Sequence, residues 1–349
     1  MKFLLSYDTS VDGIALSKDY FKEISNRLSE TKALIDDCPD KWEICKKIIH
    51  VHEYVYSSSY QRRNLCHIVP VSRSYFKMKE LKQEYLGQIQ SCVCLAEAPG
   101  GFIQCLLETD IPKIYGVTLV SDDKKVPFWN RLLTTNDRFV DYRGIKGSGD
   151  LVDFTNVLSL IKRFGRQAVD LVTGDGGFDT SSDYNHQELN SLSLIYSEIY
   201  IALHIQKIGG SFICKVFDTF VRETVLLIYS LTLCYDEVYL HKPSISRLSN
   251  SEKYVVCRGF RGAPVDLLNH MTHHFTDNQL DVPVNASFLQ KISGFNESYA
   301  TDQCRSIQNG LGLIRTQKLI HRPTRHQVDE GISWCTKYDI PLNHQCQYL

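Results

Sequence analysis

The apolar residues of this chain change their period along its length. Over 18–37, Phe21, Ile24, Leu28 and Leu34 recur at helical spacing, and Trp42, Cys45, Ile48, Ile49 and Val55 repeat the pattern over 41–56. A third helix is predicted over 72–84, where Tyr75, Phe76, Met78 and Leu81 supply the apolar residues. From Ser91 onward, short apolar runs alternate with amphipathic stretches. Strands are predicted at 91–97, 113–120, 168–173 and 211–217, and helices at 102–107, 153–165, 187–208 and 220–234. Two further strands follow at 236–241 and 253–258. Such alternation predicts an α/β fold, a mostly parallel sheet with helices on both faces. The last two strands leave no room for a crossover helix, so an antiparallel edge hairpin is expected there. Residues 259–349 are mixed, with helical patches such as 302–314. The expected division is a helical N-terminal extension over 1–60, a core over 61–262 and a C-terminal extension over 263–349 packed on the core.

Composition narrows the chemistry. The 349 residues are 43% hydrophobic, enough for one large domain with extensions. A net charge of −1 excludes a basic coat, so contact with nucleic acid would need a local patch. The densest basic stretch is Gln61-Arg62-Arg63 with Arg73, Lys77, Lys79 and Lys82, which reads equally well as a solvated helix face. None of the 12 cysteines forms a paired CxxC arrangement, and Cys92, Cys94, Cys214 and Cys257 sit in strand-like runs as buried reduced thiols would. No metal is expected: Cys92 and Cys94 lack ligand partners nearby, and His273 and His274 are adjacent rather than a helical turn apart. Only Phe3-Leu4-Leu5 follows Lys2, too short for a secretory signal, and no apolar stretch reaches membrane-spanning length. A soluble intracellular protein of a reducing compartment is expected, in the nucleus or cytoplasm, or in a viral factory if the chain is viral.

Two strands end in charges where α/β proteins do their chemistry. LVTGDGGFD at 171–179 carries Asp175 and SFICKVFD at 211–218 carries Lys215, both outside the carboxyl ends of their strands. At the first strand-to-helix turn stand Ala96, Glu97, Ala98, Pro99, Gly100, Gly101 and Phe102. Small residues there allow a close ligand, and the helix start favours a carboxylate. The turn is neither GxGxxG nor a P-loop, so S-adenosylmethionine, with a carboxylate and no phosphate, fits better than a nucleotide. Gly147-Ser148-Gly149-Asp150 offers a second carboxylate, either for an exocyclic amine or as a helix cap shared with Asp153. Removing the proton of a ribose hydroxyl asks for a lysine tuned by a second cation and by acids, and Lys77 and Glu252 are the candidates to complete Asp175 and Lys215.

The segments Ser72-Arg73-Ser74-Tyr75-Phe76-Lys77, EAPGGF at 97–102, DLVTGDGGFD at 170–179, GGSFICKVFD at 209–218 and SRLSNSEKYVVCRGF at 246–260 occur in one order over roughly 62–262. Together they resemble the FtsJ/RrmJ-like ribose 2′-O-methyltransferases, and most narrowly those specific for the mRNA cap. The resemblance implies a Rossmann-like fold and a catalytic tetrad of Lys77, Asp175, Lys215 and Glu252, with Lys215 as proton acceptor. It implies S-adenosylmethionine on Ser72, the 96–102 loop and Asp150, and capped RNA on Asn185, His186, Gln187 and Asn250. Residues 179–187 read equally well as a polar loop capping the following helix. The pattern departs at Cys94 and at GVTL 116–119, where acids are usual, and at Glu97, where a small residue is usual. The expected activity is methylation of the first or second transcribed nucleotide, with the capping or transcription machinery as candidate partners. The alternatives are an rRNA or tRNA methyltransferase, an RNA-binding subunit without activity and a small-molecule methyltransferase.

Overall fold

The strand Cys92–Leu95 is buried at every position, so both faces of the sheet around it must be covered. A computed structural model describes residues 2–5, 13–177, 186–319 and 322–349. Its strands are β1 (Lys2–Leu4), β2 (Cys92–Leu95), β3 (Ile114–Val117), β4 (Phe139–Asp141), β5 (Val169–Gly174), β6 (Gln206–Val216), β7 (Tyr235–His241) and β8 (Lys253–Phe260). Its helices are α1 (Lys22–Ala33), α2 (Pro39–Ile48), α3 (Ser74–Tyr85), α4 (Gly101–Leu106), α5 (Arg131–Thr134), α6 (Phe154–Phe164), α7 (Gln187–Ile205), α8 (Arg222–Cys234), α9 (Val265–His273), α10 (Ala286–Arg315) and α11 (Arg325–Lys337). All strands share one sheet in the order β1-β7-β8-β6-β5-β2-β3-β4. The run from β6 to β4 is parallel, while β8, β7 and β1 pair antiparallel.

Alternation along each strand sends side chains to two cores. Val93, Leu95, Val172, Phe212 and Cys214 meet α6, α7 and α8 on one face, with α1, α9 and α10 extending that layer. Cys92, Cys94, Leu171, Ile213 and Tyr254 meet α3, α4 and α11 on the other. All twelve cysteines are free thiols, and every one but Cys38 is buried. Among the described residues no helix is long and apolar enough to cross a membrane.

The parallel sheet and the antiparallel β7–β8 pair match the pattern in the sequence, but four details differ. The pair is not the sheet margin, because β1 adds to β7 outside it. The second helix stops at Ile48 rather than running to 56. His50 Nε2 and His52 Nδ1 bond the carbonyl oxygens of Ile245 (3.1 Å) and Ser244 (2.9 Å), which draws the chain out of helical geometry. The long helix α7 ends at Ile205, and 206–210 extend β6 instead. Gln206 is fixed there by its side chain, which donates to the Ser211 carbonyl (2.7 Å) and accepts from Tyr235 Oη (2.8 Å). Finally, the patches beyond 286 are one helix of 30 residues, started by Asn285, whose side chain accepts the Phe288 N–H at 2.8 Å.

Candidate active site

The topological switch point lies between β2 and β5, since the chain runs from β2 outward to β4 and returns on the other side. Ala96 leaves β2 and Asp175 leaves β5 side by side, with the Asp175 N–H donating to the Leu95 carbonyl at 3.3 Å. A cleft of about 750 Å³ opens here. Ser72, Ala96, Ala98, Pro99, Asp150, Lys77, Asp175 and Lys215 all line it.

The four charged residues meet as two coupled pairs. Lys77 Nζ donates to Glu252 Oε2 at 2.6 Å. Lys215 Nζ donates to the Asp175 backbone carbonyl at 2.6 Å and stands 3.5 Å from its Oδ1. Tyr254 Oη donates to Asp175 Oδ1 at 2.8 Å, and Ser246 Oγ to Glu252 Oε1 at 2.8 Å. Lys242 Nζ donates to the Glu252 carbonyl at 2.7 Å and so fixes the backbone of the loop. Burial by itself would raise the Glu252 carboxyl, but Lys77, Lys215 and Lys242 outweigh it and hold the group down at about 2. For Lys215 burial pulls toward the neutral amine, yet Asp175, Glu252 and Glu198 prevail and raise it. Lys215 is therefore an ammonium in the site as it stands.

The turn after β2 departs from expectation. Glu97 does not line the cleft. Its carboxylate turns inward, taking the Phe102 N–H at 2.7 Å and the Ile103 N–H at 3.3 Å, and is almost wholly buried. The helix start expected to receive a ligand carboxylate is thus occupied by the protein's own acid. Burial, with Cys94 and Asp175 nearby, pushes Glu97 well above the usual carboxylate range, against the pull of those two N–H groups. Phe102 is buried in the core, and Gly100 and Gly101 pack as a backbone support. Gly100 has φ +108°, and a side chain at Gly101 would meet Ser72 Oγ at 2.3 Å. Ser72 itself reaches the cleft, its Oγ 2.6 Å from Ser74 Oγ.

Asp150 has the opposite outcome. Asp153, not Asp150, caps α6, accepting the Thr155 N–H at 2.9 Å. Asp150 remains on the cleft wall, its Oδ1 taking the Val152 N–H at 2.9 Å. Thr118, Leu119, Leu151 and Val152 complete that wall. Gly149 is needed beside them, because a Cβ there would lie 1.8 Å from the Thr118 carbonyl oxygen.

Beyond Glu252 is a second pocket of about 270 Å³, lined by Lys32, Trp42, Lys46, Gln187, Phe217, Arg247 and Asn250. It holds two of the residues expected to touch RNA, Gln187 and Asn250. His186 is exposed at the start of α7 on a neighbouring hollow, and Asn185 lies outside the described residues. The basic stretch read as one patch is dispersed by pairing. Lys77 goes to Glu252, Lys79 to Glu108 and Arg73 to the Tyr56 carbonyl and Glu53. Arg247 from the 246–252 loop grips the same buried Glu53 through two nitrogens, at 2.9–3.0 Å.

Residues 70–260 match the FtsJ-like methyltransferase family. The chain belongs to that family. This FtsJ-like methyltransferase is 37% identical over 267 residues to the cap-specific mRNA (nucleoside-2′-O-)-methyltransferase 1A of Caenorhabditis briggsae, covering 69% of this chain and 30% of that one. It is 29% identical over 256 residues to the cap-specific enzyme 1 of Trypanosoma cruzi, covering 68% of this chain and 70% of that one. It is also 37% identical over 172 residues to a C. briggsae relative named inactive, 1B, covering 47% of this chain and 20% of that one. The chain thus spans less than a third of the length of the nematode relatives.

Sequence reasoning missed several residues that hold the FtsJ-like site together. Tyr254 had a readable signal, since it lies two positions beyond Glu252, at the start of β8. Ser246 and Lys242 lie 6 and 10 residues before Glu252 in the connection from β7, and Glu198 comes from α7; no periodicity distinguishes them from their neighbours.

Proposed function

We propose that this chain transfers a methyl group from S-adenosylmethionine to the ribose 2′-oxygen of the first or second transcribed nucleotide of capped mRNA. The observation that carries this reading is the meeting of Lys77–Glu252 and Lys215–Asp175 on the seam between two cavities.

The larger cleft suits the cofactor. Its wall is mainly apolar, it has room for a molecule of that size, and it carries Asp150 free of any helix-capping duty. Ser72, Ala96, Ala98, Pro99 and Asp150 would hold S-adenosylmethionine, with Thr118, Leu151 and Val152 against its base. When bound, that cofactor supplies a methyl group already activated by a sulfonium charge. Lys215 accepts the hydroxyl proton as an amine. Asp175, Glu252 and Glu198 favour its ammonium form, so it would accept a proton only when that balance is shifted toward the amine. Lys77 and Asp175 fix the orientation of the group, and Tyr254 holds Asp175 still.

The smaller pocket suits RNA. Trp42 and Phe217 line it with only a small part of each ring exposed, and Lys46 and Arg247, paired with Glu43 and Glu53, bring positive charge beside it. A half-open pocket of about 270 Å³ suits a single nucleotide better than a long structured RNA. The test is one short RNA, capped and uncapped, with mass mapping of the methylated nucleotide. Methylation of the capped form alone, at the first or second transcribed nucleotide, is expected. Equal methylation of the uncapped form overturns the cap assignment in favour of an rRNA or tRNA substrate. The inactive nematode relative gives a second reading weight, an RNA-binding subunit without activity. Absence of product with RNA binding intact would favour it.

A further inference from the structure

Glu198 is a buried acid that no step above uses. It sits on α7 with no exposed surface, directly behind the Asp175 turn. The fold makes room for it. A Cβ on Gly174 would lie 2.6 Å from its carboxyl carbon, and one on Gly176 would lie 2.7 Å from its Oε1. The two glycines flanking Asp175 are therefore the space into which this carboxyl fits. Cys214 Sγ donates to Oε2 at 3.2 Å, while Oε1 is buried without a hydrogen-bond partner. An ionised carboxylate in that setting is costly unless a cation opposes it.

We propose that Glu198 is a positioning residue for Lys215. Ionised, it helps hold Lys215 as an ammonium; protonated, it releases Lys215 to the amine form that accepts a hydroxyl proton. No proton passes between the two. The proposal rests on the assignment of Lys215 as proton acceptor. The groups facing Lys215 are Asp175 after β5, Glu252 before β8, Glu198 on α7 and, through Asp175, the Tyr254 hydroxyl on β8. Lys77 on α3 faces it across Glu252. Facing Glu198 are Cys214, Lys215, Asp175 and the Gly176 N–H. Burial dominates and pushes its carboxyl up to about 8, with Asp175 adding to the rise and Cys214, Lys215 and the Gly176 N–H opposing it. The switch thus lies near neutral pH, inside the range in which such a reaction would run.

Glu198→Gln keeps the shape and removes the charge. Lys215 is followed directly, by trace acylation across pH 6–10 with peptide mass spectrometry, on protein without RNA. Because Glu198 ionises only above about 8, the two Lys215 curves should coincide near pH 6–7 and separate as pH rises, the variant labelling up to about tenfold more toward pH 9–10. The pH profile of methyl transfer should move the same way, with KM for S-adenosylmethionine unchanged. A merely structural role would move neither curve, and superimposed labelling curves overturn the proposal. A shift in labelling with no methyl transfer by the wild type would leave the coupling standing and sink the functional reading instead. If Glu198→Gln does not fold, Cys214→Ala removes the thiol donor and favours the protonated acid. Its labelling curve should shift in the same direction, less far, and an unchanged curve overturns the proposal equally.

Discussion

Two lysine–carboxylate clusters lie back to back in this molecule, and neighbouring residues of one loop serve them. Glu252 belongs to the cluster at the cleft, with Lys77, Lys215 and Asp175. Ser251 and Lys253, on either side of it, belong to a second cluster with Lys32 and Asp218. There Lys32 Nζ is 2.7 Å from Asp218 Oδ2, Lys253 Nζ is 3.5 Å from Oδ1, and Ser251 Oγ donates to the same acid at 2.9 Å. The Tyr299 ring of α10 covers Lys253, 3.8 Å from its ammonium. Both clusters are heavily buried, yet their central lysines shift in opposite directions. Burial lowers Lys253 to about 8 despite Asp218 and Glu188, with Lys32 adding to the fall, whereas Lys215 is raised. The ratio of acids to amines separates them. Asp175, Glu252 and Glu198 oppose burial at Lys215, while Lys253 has Glu188 and an Asp218 that it shares with Lys32. Burial alone does not mark a reactive lysine; access to a cavity and the count of opposing charges do.

The largest effect should come from Lys215→Ala. If the cleft cluster carries the chemistry, methyl transfer per folded molecule falls on the order of 10²–10⁴-fold, the usual range for a lost general base. Binding of S-adenosylmethionine, followed by calorimetry, should stay within a few-fold of wild type. Retained turnover would remove Lys215 from the role of base and erase the functional contrast between the clusters. Asp218→Ala probes the other side. It leaves Lys32 and Lys253 buried without their shared acid, and the expected loss is about 3–5 kcal/mol of stability in denaturant unfolding. A loss below about 1 kcal/mol would mean that the second cluster is not structural.

How much of this was legible in the sequence follows from distance along the chain. Asp175 and Lys215 are visible because each breaks an apolar run at a strand end. Lys77 and Glu252 stand as candidates on chemistry and are joined to the tetrad only by the family resemblance, since no spacing rule joins residues 175 apart; the geometry pairs them directly. Asp150 and Asp153 were indistinguishable as caps until the backbone assigned the cap to Asp153. Glu97 looked like part of a ligand loop because a local pattern cannot tell which way a carboxylate turns. The long α10 read as fragments because Gly294, Gly310 and Gly312 and many polar residues interrupt its stripe, yet Gly310 packs against Trp42 of α2. The second cluster was invisible, being assembled from α1, the end of β6 and the start of β8.

A pH series on Glu252→Gln sharpens the electrostatic side of the contrast. The folded carboxyl titrates at about 2 and the unfolded one near 4.5. A depressed acid contributes its stability in full above the unfolded value and loses it as pH falls through the folded one. Wild type should therefore exceed the variant by at most about 2–3 kcal/mol from pH 5.5 to 7.5. That margin should shrink as pH falls from 4.5 toward 2. A margin independent of pH would show that shape rather than charge is lost.

The smallest expected effect tests the link between the clusters. The Tyr299 hydroxyl donates to the Asn250 carbonyl, which Lys242 also bonds at 2.8 Å, while its ring packs on Lys253. Burial, with Asp218 and Glu252 nearby, keeps the phenol protonated well beyond its ordinary range, so it stays a donor at any working pH. Tyr299→Phe removes the hydrogen bond and keeps the ring. Because Lys242 still satisfies the carbonyl, the loss should be only about 0.5–1 kcal/mol. If loop 249–252 conveys the order of the Lys32–Asp218–Lys253 cluster to the smaller pocket, KM for capped RNA should rise several-fold while kcat changes little. A fall in kcat with KM unchanged would mean that Tyr299 acts through Glu252 on the chemistry, and the two clusters would then work as one unit.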